Sequence, residues 1–200
     1  MRTKILGTAL ATLVLIGSAY ANAVFTLGNH PQPNEENILF HTDQMSSTIS
    51  GFTNHSDTMV QFSSTTDTLL AKGGQADVDA ADGEVNDITM TVPGNTFQDL
   101  IINPFKPVNN QDLLVTVMTN TGPFAFTYGD THGDNFLTIT TSGGEVIASV
   151  TIDSTGGFQD LKQPRISGIS GVTVIPEPSS MLLLGGAILG VGFVIRRKLS

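Results

Sequence analysis

Through the middle of the chain, apolar and polar residues alternate in short runs, the period of a strand with one buried face. Ile88, Met90 and Val92 alternate with threonines, and Val146, Ala148, Val150 and Ile152 recur at the same spacing. Phe124, Phe126 and Tyr128 put three rings on one face of a strand. Residues 111–119 read as a longer strand and residues 136–141 as another. Glycine-containing turns divide these runs: Lys72-Gly73-Gly74, Asp82-Gly83, Pro93-Gly94, Thr121-Gly122-Pro123, Ser142-Gly143-Gly144 and Gly156-Gly157. Threonine and serine fill the outward positions, as half-exposed strands tolerate. No helical period competes between residues 24 and 175. Roughly eight to eleven strands in one block predict an all-β domain, a two-sheet antiparallel β-sandwich of jelly-roll type. Phe25, Phe40, Phe52, Phe62, Phe97, Phe126, Phe136 and Phe158 are the expected core.

Two longer apolar runs, one at each end, follow neither pattern. Residues 5–19 carry no charge, follow the basic start Met1-Arg2-Thr3-Lys4, and lead into Ala21-Asn22-Ala23. A positive start, an apolar run and a small-x-small site form a secretory signal peptide. Residues 1–23 are therefore expected to be removed by signal peptidase after Ala23; an uncleaved membrane anchor is the alternative. Near the other end, residues 181–195 are again uncharged. At about 1.5 Å per residue this run spans about 22 Å, short of a ~30 Å hydrocarbon core. Ser179, Ser180 and snorkelling arginines make up most of the difference and give a short transmembrane helix. Arg196, Arg197 and Lys198 would stay on the cytoplasmic side, which places the β domain outside. Pro176 and Pro178 bar a helix around Glu177 and keep that stretch extended, the shape in which a protease grips its substrate.

Pro176-Glu177-Pro178, a short apolar helix and a terminal basic cluster, in that order, resemble the PEP-CTERM sorting signal of Gram-negative bacteria. The resemblance implies recognition by an exosortase, a membrane thiol protease, and an association with exopolysaccharide or biofilm matrix. It divides the chain into a signal peptide (1–23), a β-sandwich ectodomain (24–174) and a sorting signal (175–200). The expected route is a transient inner-membrane anchor with the ectodomain outside, and then the cell surface or secreted matrix.

Charge narrows the choice of partners. Between Val24 and Pro178 only Lys72, Lys106, Lys162 and Arg165 stand against all eighteen acids. So acidic a surface is unsuited to the phosphate backbone of nucleic acid, which is bound by neutralising phosphates with cations. Cysteine is missing from the sequence, which rules out disulfides, thiolate metal sites and a cysteine nucleophile.

One internal echo is present: Phe97-Gln98-Asp99-Leu100 returns as Phe158-Gln159-Asp160-Leu161. It predicts equivalent strands, one in each half of the sandwich, each burying its Phe and Leu. Residues 157–168 also resemble a recurring C-terminal stretch of PEP-CTERM ectodomains. Arg165 within it is expected to pair with a carboxylate and close the last strand.

The densest acidic stretch runs through Asp77, Asp79, Asp82 and Glu84, with Asp87 close behind. Alternate carboxylates before an Asp-Gly turn are candidate Ca²⁺ ligands, since the ion takes six to eight oxygens. A strand end followed by a solvated turn is the plainer alternative. Residues 129–135 form a second, weaker cluster, read as a hairpin loop. His30, His41, His55 and His132 show no metal-binding spacing, and no nucleophile motif stands out. No cofactor is expected beyond an optional calcium ion. With no tryptophan, the aromatic platform of a sugar-cleaving site is poorly supplied. The expected function is that of a non-catalytic surface or matrix protein, with weak glycan or calcium contact. The alternative is a secreted carbohydrate-active hydrolase or lectin-like protein with its site in the loops.

Overall fold

A computed structural model describes residues 22–107, 111–129 and 133–171. Every named element in them is a strand and every pairing is antiparallel. The signal-peptide run, the Pro-Glu-Pro motif, the second apolar run and the basic cluster lie outside the described residues. Among the described residues no helix is long and apolar enough to cross a membrane.

The strands are β1 (Asn22–Leu27), β2 (Glu36–Phe40), β3 (Gln44–Ser46), β4 (Thr48–Thr53), β5 (Met59–Ser63), β6 (Leu69–Ala71), β7 (Gly74–Gln75) and β8 (Asp77–Ala80). They continue as β9 (Val85–Thr91), β10 (Asn95–Thr96), β11 (Asp99–Pro107), β12 (Leu113–Thr119), β13 (Pro123–Tyr128), β14 (Leu137–Ser142), β15 (Ile147–Ser167) and β16 (Ser170–Gly171). The strands expected near residues 88–92, 111–119, 124–128 and 136–141 are all present, and all but one of the expected turns separate strands.

The exception organises the molecule. Gly156-Gly157 is not a turn but a bulge inside β15, a strand of 21 residues. Its first part, through Asp153, lies between β12 and β9; from Phe158 onward it lies beside β11 and then against β8 and β2. On the β9 side the pairing jumps from Asp153–Asp87 to Phe158–Val85, so residues 154–157 bulge out opposite Asn86. Gly157 has φ 74, and a Cβ there would come within 3.1 Å of the Glu84 Cβ. One strand thus belongs to two layers. β2 pairs with both β4 and the far end of β15, closing a ring through β15, β9, β5, β4 and β2. The all-β antiparallel class is as expected, but the layers are continuous and closed like a barrel, not two separate sheets.

The inward faces meet in one apolar core. Ile88, Met90 and Val92 all point into it, as their alternation predicts. Phe40, Phe62, Phe97 and Phe158 are fully buried there, while Phe25 and Phe126 pack on its margin. Phe25 of β1 stacks on Phe126 of β13 with centroids 5.1 Å apart, drawing together strands from the two layers.

Phe52 and Phe136 are only half-buried. Phe52 alternates with Gly51 and Thr53, which share the inward face of Ile49, so its ring lies outside and stacks on His41 at 4.8 Å. The alternation expected through Val146, Ala148, Val150 and Ile152 also breaks. The β12–β15 register shifts between Met118 and Thr119, so Ile147 is buried and Ala148 is exposed.

The repeated tetrapeptide is placed differently from expectation. Phe97, Leu100, Phe158 and Leu161 are all buried. However, β11 and the second part of β15 are neighbours, with Leu100 opposite Ile166 and Pro107 opposite Phe158. The first copy leads into β11 and the second lies within β15, so the two sit on neighbouring antiparallel strands, not on strands in separate layers.

Candidate functional site

Two polar constellations lie on the outer faces of the strands, and each answers part of the acidic stretch.

The first is built by β8, β15 and β11. In β8, Val78 and Ala80 point inward, which sends Asp77 and Asp79 outward on the same face. β15 runs beside it with Asp160 opposite Asp79 and Lys162 opposite Asp77. Carboxylate oxygens of Asp77, Asp79 and Asp160 all lie within 4.8 Å of one another. Asp77 is exposed, Asp79 half-buried and Asp160 buried, with 4% of its surface accessible. Lys162 Nζ stands 3.3 Å from Asp160 Oδ2 and 3.5 Å from the centroid of the Phe105 ring. Asp160 Oδ1 is buried and accepts no hydrogen bond. Burial, then the charge of Asp77, push the Asp160 carboxyl up to about 6, with Lys162 acting against them. Asp77 is raised as well: although much of the residue is exposed, its carboxyl is partly desolvated against the sheet, and the charge of Asp79 adds to this. Asp82 and Glu84, grouped with Asp77 and Asp79 in the sequence, stay on the exposed β8–β9 turn outside this cluster. Their place is taken by Asp160, some eighty residues further along; no local spacing in the sequence marks it.

The second constellation surrounds Asp87. The segment Ser64-Thr65-Thr66-Asp67 folds over the start of β9 and aims its donors at the Asp87 carboxylate. Ser64 Oγ donates at 2.7 Å, the Thr65 amide at 2.9 Å, the Thr66 amide at 3.0 Å and Thr65 Oγ1 at 3.1 Å. Thr66 Oγ1 donates to it too. Burial raises this carboxyl, but the donors outweigh burial and hold it down to about 2. Asp67, in return, accepts the Asn86 amide at 2.7 Å and is also held below its usual range, its hydrogen bonds outweighing burial. Asp87 thus anchors this loop, both its carboxylate oxygens accepting from the Ser64–Thr66 donors. Its cross-strand neighbour Asp153 is raised, by burial and by the Asp87 charge. An open groove of about 580 Å³ runs over this pair, bordered by Thr65, Thr66, Asp112, Leu114 and Thr155. Carboxylates, hydroxyls and one apolar side chain in an open trough suit a polyol better than an anion.

Of the remaining candidates, Ala23 lies in β1 opposite Thr141. Ala21, Pro176, Glu177, Pro178, Arg196, Arg197 and Lys198 lie outside the described residues, as do Asp130 and His132 of the weaker acidic cluster. His30 meets the Leu27 carbonyl at 3.0 Å and His41 stacks on Phe52, so neither joins a metal-binding group among the described residues. Arg165 does find a carboxylate, Glu35, at 2.6 Å.

Residues 174–198 match the PEP-CTERM protein-sorting motif. The match covers the C-terminal eighth of the chain, and the motif implies export and sorting by an exosortase. No curated protein matches the chain. Among solved structures, a mutant of CBM29-2, a family 29 carbohydrate-binding module, aligns at a TM-score of 0.23 and 10% identity. That alignment covers 78% of this chain and 99% of the module, and so loose a likeness carries no inference.

Proposed function

We propose that this chain is a non-catalytic surface or extracellular-matrix protein. Its β domain is carried out of the cytoplasm by a cleaved signal peptide and released from a transient membrane anchor by an exosortase. The observation that carries this reading is the sorting motif at residues 174–198, joined to an acidic, cysteine-free β domain. Cleavage after Ala23 is compatible with the fold, because four of the six β1 residues, Val24 to Leu27, keep their partners on β14. Contact with neutral exopolysaccharide falls to the groove beside Asp153, where Asp112, Thr155 and the Thr65–Thr66 hydroxyls face an open trough.

The test is the intact mass of the protein from its own cells, with and without the exosortase, combined with fractionation of cells and matrix. A mass ending near residues 176–180, reverting to the tailed form without the protease, supports the reading. A tail retained in both strains makes the chain an ordinary membrane-anchored ectodomain.

One observation favours a second reading, a secreted glycoside hydrolase. Neighbouring Asp87 and Asp153 are pushed in opposite directions, the arrangement that separates a base from an acid. Against it, the Asp87 oxygens are occupied by the Ser64–Thr66 donors and serve the loop. Hydrolysis of a polysaccharide by the wild type, lost in Asp153→Asn, would establish this reading and displace the first.

A further inference from the structure

We propose that Asp77, Asp79 and Asp160 form a calcium site on the outer face of the β8–β15 pair. Clustering of carboxylates alone would not carry this, since acidic surfaces are common in this chain. The second observation is the buried Asp160 Oδ1, which has no hydrogen-bond donor. A carboxylate with 4% of its surface accessible ordinarily has both oxygens satisfied, and an orphaned one is costly to keep. Lys162 reaches only the other oxygen, at 3.3 Å.

The geometry admits the ion. Calcium binds oxygen at about 2.3–2.6 Å, so any two ligands of one ion stand no more than about 5.2 Å apart. The three carboxylates, each within 4.8 Å of the others, meet that limit. All three donors are hard oxygens, with no sulfur or imidazole in the group. Burial falls from Asp160 through Asp79 to Asp77, so the site opens on its Asp77 side, where water completes the six to eight ligands. The donors sit on paired strands, Asp160 directly opposite Asp79, and are already placed without rearrangement of the backbone. Lys162 provides the stand-in charge. Its ammonium is held over Phe105 at 3.5 Å, where it remains stabilised when an ion takes over Asp160. Lys162 is therefore a competitor of the ion and not part of its shell.

Calcium chloride titrated calorimetrically into the purified full chain tests this, with magnesium chloride as comparison and circular dichroism to check folding of each variant. One saturable calcium site with a Kd of about 10⁻⁴–10⁻³ M is expected. Asp77→Asn, at an exposed position that leaves the core untouched, should weaken binding about tenfold or more. Lys162→Gln should tighten it several-fold, and Asp82→Asn and Glu84→Gln should leave it unchanged. A chain with no saturable calcium binding overturns the proposal. So does binding that survives Asp77→Asn undiminished, or binding that depends on Asp82.

Discussion

Arg165 and Glu35, 130 residues apart in the chain, meet with Nη1 and Oε1 2.6 Å apart. The same guanidinium reaches Asn29 through Nη2, also at 2.6 Å. Arg165 lies opposite Asn37, where β2 meets the far end of β15 and the ring of strands closes. The connection from β1 to β2 is thus strapped onto the last long strand, and the two charged side chains are largely shielded from water. Removing one partner leaves the other charge half-buried. Arg165→Ala should cost about 2–4 kcal/mol in urea unfolding, and Glu35→Gln less, because the amide still accepts from the guanidinium. Arg165→Lys should fall between them, since an ammonium cannot hold Glu35 and Asn29 with one planar fork.

Asp87 makes the fold acid-sensitive over a defined range. Its folded value of about 2 lies below the ordinary 3.8 of the free side chain, so the folded state favours the ionised form. The resulting stability, about 2 kcal/mol, is fully present above pH 4 and is lost as pH falls through the folded value near 2. Asp87→Asn should lose most of that at neutral pH and show a flatter stability profile between pH 2 and about 4. Denaturant unfolding at a series of pH values checks both.

Gly51 is needed for space. A Cβ there would stand 2.7 Å from Ile38 Cγ2 and 3.0 Å from the Leu39 carbonyl oxygen. Gly51→Ala should destabilise by about 1–3 kcal/mol. In an Ile38→Ala background, which removes the nearer atom, the added cost should be smaller, and a double-mutant cycle reads the difference.

The Phe25–Phe126 stack predicts the worth of β1. Phe25→Ala should cost about 2 kcal/mol, with a coupling of about 0.5–1.5 kcal/mol to Phe126→Ala. Starting the chain at Val24 removes only Asn22 and Ala23 from the pairing with β14 and should change unfolding little.

These features differ in how openly the sequence displays them. Strands such as β9 and β13 are visible because period two is a local property and one face of each meets the core. Phe52 stands among the expected core residues but lies on the other face; the alternation of Ile49, Gly51 and Thr53 decides which face is buried, and that alternation is a local property of the sequence. The bulges at Ala148 and at residues 154–157 depend on partner strands, so a run of residues cannot reveal them, and Gly156-Gly157 imitates a turn. The acidic cluster was half legible. Asp77 and Asp79 share a face by spacing alone, whereas Asp160 arrives through a cross-strand register that only the assembled sheet defines. Asp82 and Glu84 were close in sequence and separated by the turn they help to form.

β15 also sets the order in which this protein can be finished. It pairs with β2, β8, β9, β11 and β12, every one of which precedes it in the chain. Until residues as late as 167 have emerged, neither layer has its shared strand and the ring through β2 stays open. Closure thus waits for nearly the whole β domain, and long-range pairings of this kind form slowly. For an exported chain that delay is useful, since it postpones folding until translocation is almost complete. The sorting motif begins at residue 174, three residues after the last strand among the described residues, so the end of folding and the start of sorting are read from neighbouring pieces of chain.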